Sequence, residues 1–181
     1  MAENPTPQHI LEQSEQLCTA QELASIIGQM AQDISKTLSD QCPVVLCVMN
    51  GAVIFTGHLL PQLNFPLYFS YVHGTRYHET TRGGELSWKV APPDDLKDQV
   101  VLVLDDVLDE GWTLAAIRER VIKNGARAFY SAVLVDKIIA RDKPLQADFV
   151  GITLPDRYIF GFGMDIHGMW RNLPTIYALK Q

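Results

Sequence analysis

Residues 101–117, VLVLDDVLDEGWTLAAI, join an unbroken hydrocarbon run to an amphipathic one through a short acidic segment. Residues 100–104 are all valine or leucine, which predicts a buried strand of a parallel sheet. The apolar spacing beyond Gly111 predicts a helix over residues 113–123. A strand, a turn and a helix in this order are typical of an α/β fold.

The acidic segment contains four carboxylates, those of Asp105, Asp106, Asp109 and Glu110. Like charges held close together are unfavourable unless hydrogen-bond donors, a cation or bound protons compensate them. Ligands of open parallel sheets bind beyond the carboxyl ends of the strands, which is where these acids lie. Side chains alternate along a strand, so Asp105 and Asp106 are predicted to diverge and to contact different groups.

The start of the predicted helix, near Thr113, offers unpaired N–H groups to an anion such as phosphate. Mg²⁺ carried by a polyphosphate would neutralise the acids. Alternatively, Asp109 and Glu110 merely cap the helix, worth about 0.3–1 kcal/mol each. Capping leaves Asp105 and Asp106 unexplained.

Other phosphate-binding motifs do not fit. No Gly-Lys-Ser/Thr follows the strand, which excludes the Walker motif, and Gly161-Phe162-Gly163 lacks the third glycine of a dinucleotide fingerprint. We interpret this GxG fragment as a bend in a strand. A receiver domain would place its paired acids near the first strand, which is not their position here.

The rest of the chain continues the α/β pattern in a single domain, residues 1–181. Thr19 to Glu22 has the form of a capping box and begins a helix. Further strands are predicted over residues 44–49, 67–72, 86–90, 129–135, 149–154 and 158–160, and a short helix over residues 52–60. Residues 73–85 are polar and contain glycine, which fits a loop that closes over a ligand and also an ordinary long hairpin loop.

Composition excludes several classes of protein. The formal net charge of the 181 residues is −6, which argues against nucleic-acid binding. The longest apolar runs are far shorter than the roughly 20 residues of a membrane span, and the N-terminal MAENPTPQHI does not resemble a signal peptide. We expect a cytoplasmic protein without a membrane partner. The three cysteines have no CxxC spacing, which favours reduced thiols over a disulfide framework or a zinc site.

VLVLDDVLDEGWTL resembles the phosphoribosyl diphosphate signature of the type I phosphoribosyltransferases. Further segments resemble the 6-oxopurine branch, in particular the bacterial hypoxanthine and hypoxanthine-guanine enzymes. They are VVLCVMNGAVIF, SYVHGTRY, LVDK, DFVGITLPDRYIFGFGMD and WRNLP, in the family's order from residue 44 to residue 174.

The resemblance implies a mostly parallel sheet flanked by helices, with a small hood made from parts of the N-terminal and C-terminal segments. It also implies transfer of ribose 5-phosphate from phosphoribosyl diphosphate (PRPP) to N9 of hypoxanthine or guanine. The products would be IMP or GMP and pyrophosphate. The implied cofactor is Mg²⁺, and the implied assembly is a homodimer or homotetramer.

Site residues follow from the same resemblance. Asp109 matches the general base near N7 of the purine. Asp105 and Asp106 match the acids at the ribose hydroxyls and their Mg²⁺, and Asp165 matches the acid that holds a second Mg²⁺ beside the purine. The 5′-phosphate cradle is Glu110, Gly111, Trp112 and Thr113. Pyrophosphate-binding residues are Asn50, Gly51, Arg76, Tyr77 and Arg171, and purine-binding residues are Lys137, Tyr158, Ile159 and Asp165.

This chain departs from the family pattern at Asn50, where many relatives have lysine, and at Arg76, where serine is common. Glu110 and Trp112 also differ from the usual cradle residues. Two alternatives remain open at this point. One is a phosphoribosyltransferase that prefers xanthine or a pyrimidine, and the other is a non-catalytic, nucleotide-sensing RNA regulator with the same fold. The acidic balance argues against the RNA regulator.

Overall fold

A computed structural model of the chain describes residues 6–76 and 86–180. The helices are α1 (Pro7–Glu12), α2 (Ala20–Leu38), α3 (Val53–Leu59), which continues into a 3-10 helix (Leu60–Gln62), and α4 (Trp112–Lys123). The strands are β1 (Ser14–Cys18), β2 (Val44–Val48), β3 (Tyr68–Arg76), β4 (Leu86–Val90), β5 (Val100–Leu108), β6 (Ala128–Ile138), β7 (Phe149–Pro155), β8 (Ile159–Phe160) and β9 (Ile176–Leu179).

The main sheet has six strands in the order β4-β3-β2-β5-β6-β7. Strands β3, β2, β5, β6 and β7 pair in parallel, and the edge strand β4 is antiparallel. This confirms the predicted α/β class with a mostly parallel sheet. The chain moves from β2 to β3 on one side and then places β5 on the other side of β2. The strand order therefore reverses between β2 and β5.

Strand β5 forms part of two cores because its side chains alternate between the faces of the sheet. Leu102 and Leu104 belong to the core that also contains the buried residues of α2 and α3. Val101 and Val103 belong to the core beneath α4. Both faces of β5 are therefore covered, as its continuous run of valine and leucine predicted.

The capping box predicted for α2 is present. The Thr19 side chain accepts the N–H of Glu22 at 3.2 Å, and the Glu22 carboxylate accepts the N–H of Thr19 at 2.8 Å. These two bonds satisfy N–H groups that a helix start leaves without intrahelical partners.

A second sheet of three strands has the order β1-β9-β8 and is antiparallel. It joins the first strand of the chain to the last. Ile10 of α1 packs with Phe160 and Ile166 in a separate core cluster. The sequence analysis did not predict α1 or β1, because both segments are short and mostly polar.

The central strands extend further than predicted. Strand β5 runs to Leu108 instead of residue 104, since it keeps pairing with β6 after β2 has ended. Asp105 and Asp106 thus lie within a strand, not beyond it. Of the predicted loop, residues 73–76 belong to β3, and residues 77–85 lie outside the described residues.

The GxG fragment is a turn instead of a strand bend. Strand β8 ends at Phe160, and Gly161, Phe162 and Gly163 all have positive φ, of 92°, 50° and 104°. Gly161 and Met164 form an isolated antiparallel bridge across this turn. Among the described residues, no helix combines the length and apolar character that crossing a bilayer requires.

Two glycines provide a test of the packing between α2 and β7. A Cβ at Gly151 would lie 2.6 Å from the Leu134 carbonyl oxygen and 2.9 Å from Ile26 Cγ2, whereas a Cβ at Gly57 would meet no atom within 4 Å. We expect Gly151→Ala to lower the free energy of unfolding by about 1–3 kcal/mol through overpacking. The control, Gly57→Ala at an exposed position of α3, should raise it by about 0.5–1 kcal/mol. Urea denaturation measures both, and a Gly151→Ala variant as stable as the wild type would contradict this packing.

Candidate active site

The acidic segment lies at the point where the strand order reverses. Strands β2 and β5 pair as far as Cys47 and Leu104, and from there the chain after β2 and the rest of β5 separate. Ligands of open α/β sheets bind in the crevice at such a point. One wall of this crevice is the turn after β2, which contains Gly51, and the other is the end of β5, which contains Asp105 and Asp106.

Asp105 and Asp106 do not diverge as strand alternation predicted. Asp105 is buried, with 7% of its surface exposed, and its Oδ1 accepts the backbone N–H of Asp106 at 3.1 Å. The two carboxyl groups are also close enough for their charges to interact. The side chain of Asp105 folds back along the strand, so the two acids form one group.

The electrostatics of this pair reflect its burial. Burial raises the pKa of Asp105 well above its usual range, and the neighbouring charge of Asp106 raises it further. Burial also raises the pKa of Asp106, although hydrogen bonds from Asp105 and the backbone and the charge of Arg171 partly offset this rise. The pair is therefore poorly stabilised in its fully ionised form, and an external cation would stabilise it.

Two glycines make room for Asp106. A Cβ at Gly51 would lie 2.0 Å from Asp106 Oδ2, and a Cβ at Gly163 would lie 2.0 Å from the Gly51 carbonyl oxygen. The peptide bond between Met49 and Asn50, just before Gly51, is cis. The Asp106 side chain thus packs against Gly51, and the backbones of the β2 turn and the Gly163 turn approach each other closely.

Arg171 connects the Gly163 turn to Asp165. Its guanidinium donates to the Gly163 carbonyl oxygen at 2.7 Å and pairs with Asp165 Oδ1 at 2.5 Å. Asp165 Oδ2 accepts the N–H of Gly168 at 2.7 Å, and the Tyr158 hydroxyl donates to the Asp165 carbonyl oxygen at 3.2 Å. Arg171 therefore links the Gly163 turn to Asp165, and its charge acts on Asp106.

The second pair of acids does not cap the helix. Helix α4 begins after Gly111, which has φ of 82°, and none of the described side chains caps it. Asp109 Oδ2 instead pairs with Lys137 Nζ at 3.1 Å, and Glu110 pairs with Arg141. The capping alternative is therefore wrong for this chain.

The first turn of α4 is suited to binding an anion. Gly111 sits at the N-cap, Trp112 and Thr113 open the helix, and no acidic residue lies in its first turn. A helix start presents its unpaired N–H groups and the positive end of its dipole to the solvent. The geometry thus agrees with a phosphate bound beside the acidic pair.

Of the predicted purine-binding residues, Lys137 pairs with Asp109, Tyr158 precedes β8, and Ile159 begins it. The Lys137 side chain is 10% exposed and that of Asp109 is 50% exposed, so the lysine is held and the aspartate is open. Tyr158 is half exposed at 53%, whereas Ile159 is buried in β8, opposite Ala178 of β9. These four residues remain predicted contacts of a base.

Two predicted residues cannot be placed in the site. Arg76 is the last residue of β3, and Tyr77 lies outside the described residues. Asn50 is exposed and follows the cis peptide bond. The prediction for all three stays a prediction.

Three residues of this region were missed by the sequence analysis. Gly163 was assigned to a strand bend, and Arg141 and Lys143 lie in a polar loop that gave no motif. Lys143 Nζ contacts the end of β5 and the end of β6. The one signal available in the sequence was the positive charge of Lys143, which lies directly before Pro144 in the loop after Lys137.

The available carboxylates fit a Mg²⁺ ion that is bound jointly by protein and substrate, not a metal ion enclosed by protein ligands alone. In residues 6–76 and 86–180, no three His, Cys, Asp or Glu side chains converge as a metal cluster. Mg²⁺ commonly binds one or two carboxylates together with substrate oxygens and water. The buried pair Asp105 and Asp106, short of positive charge, fits such a site, and Asp165 offers a separate carboxylate.

Comparison with known proteins agrees with this geometry. Residues 13–167 match the family described as the phosphoribosyl transferase domain. A hypoxanthine-guanine-xanthine phosphoribosyltransferase of Tritrichomonas foetus is 32% identical over 158 residues, which are 86% of this chain and 85% of that protein. A hypoxanthine-guanine phosphoribosyltransferase of Bacillus subtilis is 26% identical over 165 residues, 91% of this chain and 92% of that protein.

Among solved structures, a hypoxanthine phosphoribosyltransferase of Staphylococcus aureus superposes with a TM-score of 0.86 at 26% identity, covering 92% of this chain and 91% of that one. The family match contains the β2 turn, the β5–α4 segment and the Gly163 turn that together build the crevice. The chain belongs to the phosphoribosyltransferase family and has its type I fold.

Proposed function

We propose that this chain transfers ribose 5-phosphate from PRPP to N9 of hypoxanthine or guanine in cytoplasmic purine salvage. The observation that carries the proposal is the Asp109–Lys137 pair, set between the acidic pair of β5 and the open start of α4. The names of the relatives support the choice of a 6-oxopurine. We also propose a homodimer or homotetramer, which light scattering would test.

PRPP would bind along the β5–α4 segment. Its 5′-phosphate accepts N–H groups from Glu110 to Thr113, where the helix dipole favours an anion. The ribose hydroxyls meet Asp105 and Asp106. Asp105 and Asp106 would hold one Mg²⁺ and Asp165 a second, and the positive charge of the two ions would stabilise the departing pyrophosphate. The pyrophosphate would lie between the Asn50-Gly51 backbone and Arg171, with Arg76 and Tyr77 completing the site.

The purine would break the Asp109–Lys137 ion pair and form one hydrogen bond with each of the two side chains. A 6-oxopurine presents an acceptor at O6 to the Lys137 ammonium and, in the tautomer protonated at N7, a donor to the Asp109 carboxylate. Asp109 then takes the N7 proton as N9 forms its bond to the ribose carbon. A 6-aminopurine places N–H donors against an ammonium that has no acceptor, so this pair selects against adenine.

The remaining contacts position the base. Tyr158 offers its exposed ring for stacking, and its hydroxyl bond to Asp165 holds that ring in place. The backbone of Ile159 addresses the edge of the purine. Xanthine is the second candidate substrate, because the Tritrichomonas foetus relative is named for it.

The proposal predicts a specific pattern of turnover. Purified protein with PRPP and Mg²⁺ should convert hypoxanthine or guanine to the nucleotide, with pyrophosphate released in equal amount, and should leave adenine unchanged. EDTA should abolish turnover and excess Mg²⁺ should restore it. Chromatography of the nucleotide product measures both. Absence of product with hypoxanthine, guanine and xanthine would refute the proposed function.

A second prediction concerns the proton acceptor. Asp109→Asn keeps the shape of the side chain but cannot take the N7 proton, so we expect kcat to fall by about 10² to 10⁴ with a small change in KM for the base. Asp33→Asn removes a carboxylate paired with Lys36 on the surface of α2 and serves as the control. Equal losses in kcat and in base affinity would argue against the role of Asp109.

The buried acids predict a conflict between stability and activity. An unfolded aspartate titrates near pH 3.9, whereas the folded pKa of Asp105 is raised. Between these two values the native state binds more protons than the unfolded state, so stability falls as pH rises through that window. Asp105→Asn removes this loss.

We therefore expect Asp105→Asn to have a higher Tm than the wild type at pH 8 in EDTA, by about 2–4 °C for each kcal/mol relieved. The difference should shrink as pH falls toward 4, and the variant should lose most of its transferase activity. Scanning calorimetry across pH measures the effect. A wild-type Tm at pH 8 that equals or exceeds that of the variant would contradict the assigned burial.

A further inference from the structure

We infer that Lys143 is a positioning residue for the purine half of the site, fixing the backbones that carry Lys137 and Asp109. This inference rests on the proposed function. Lys143 Nζ donates to Asp136 Oδ1 at 2.5 Å, to the Lys137 carbonyl oxygen at 2.6 Å and to the Leu108 carbonyl oxygen at 2.7 Å. An ammonium has three N–H donors, and these three acceptors use all of them.

The three acceptors lie at the ends of two neighbouring strands. Leu108 is the last residue of β5 and precedes Asp109, while Asp136 and Lys137 are near the end of β6. Leu108 is the register partner of Asp136 across the sheet. One cation therefore joins the two strand ends where the Asp109–Lys137 pair begins.

The contact acts through the backbone. Two of the three bonds of Lys143 go to carbonyl oxygens, one in Lys137 itself and one in the residue before Asp109. The Lys137 side chain is 10% exposed, so its direction depends on where its backbone is held. A shift of about 1 Å in a binding group costs up to 10²-fold in rate.

Because the Lys143 ammonium is largely buried, its contacts contribute more than a surface ion pair would. The Lys143 side chain is 12% exposed and that of Asp136 is 31% exposed. Hydrogen bonds to charged groups are the stronger kind, and a buried acceptor left without a donor is costly. Removing the ammonium would leave the three oxygens without this donor and release the loop after β6.

Lys143→Met tests the ammonium alone, because methionine retains most of the aliphatic stem that packs near Gly111. We expect kcat/KM for hypoxanthine to fall roughly ten- to a hundredfold, with a higher KM for the base and a KM for PRPP within about twofold of the wild type. The control is Lys36→Met, which breaks an exposed pair with Asp33 on α2 and should change neither KM. A lower Tm with an unchanged base KM would show a structural role only and overturn the inference.

A double-mutant cycle tests whether Lys143 acts on the base through Lys137. In a Lys137→Met background the base has already lost its contact to the ammonium, so adding Lys143→Met should raise the base KM much less than it does in the wild type. Fully additive effects would mean that Lys143 acts independently of Lys137 and would overturn this route.

If Lys143→Met does not fold, Asp136→Asn tests the positioning role of Lys143 instead. The amide retains an acceptor for Lys143 but loses the charge, and we expect a smaller rise in base KM, on the order of threefold. An Asp136→Asn variant with wild-type KM for both substrates would overturn the inference.

Hydrogen exchange separates this inference from the proposed function. In Lys143→Met, peptides covering residues 106–111 and 135–140 should exchange faster than in the wild type, while the rest of the sheet is unchanged. If the wild type makes no nucleotide from any 6-oxopurine, the proposed function fails, and faster exchange confined to these peptides still supports the positioning role. Unchanged exchange there overturns it.

Discussion

The structure around the crevice depends on the negative charge gathered at the end of β5. Asp105 and Asp106 are linked by the hydrogen bond from the Asp106 N–H to the Asp105 carboxylate, and burial makes their full ionisation unfavourable. Gly51 lacks a side chain where Asp106 needs space. Arg171 brings the nearest compensating charge from the far end of the chain. Each of these features serves a carboxylate pair that the protein alone does not neutralise.

The length of β5 determines how firmly the site is held. Because β5 and β6 remain paired up to Leu108 and Asp136, the acids sit on a regular strand, and Asp109 follows directly from it. Sites on strands are held more precisely than sites on loops. Lys143 joins the same two strands by side-chain hydrogen bonds at their last register pair, Leu108 and Asp136.

The sequence predicted what depends on local pattern and missed what depends on pairing. The capping box at Thr19, the α/β order and the helix after Gly111 are local, and all are confirmed. The extent of β5 depends on its partner β6, and the approach of Asp105 to Asp106 depends on burial from elements distant in the chain. Likewise, Gly163 and Lys143 acquire their contacts only through tertiary structure. The spacing of residues along the sequence therefore could not predict those contacts.

The Asp109–Lys137 ion pair can be broken by a ligand at little cost in free energy. Half of the Asp109 side chain is exposed, and ion pairs in contact with water contribute only about 0–1 kcal/mol. Breaking the pair to admit a base therefore costs little. The Lys137 ammonium, nearly buried, then gains an acceptor in a drier environment, where a charged hydrogen bond is stronger. Under the proposed function, a base without that acceptor would leave the ammonium unpaired, so the selectivity would arise from the cost of the wrong ligand more than from attraction to the right one.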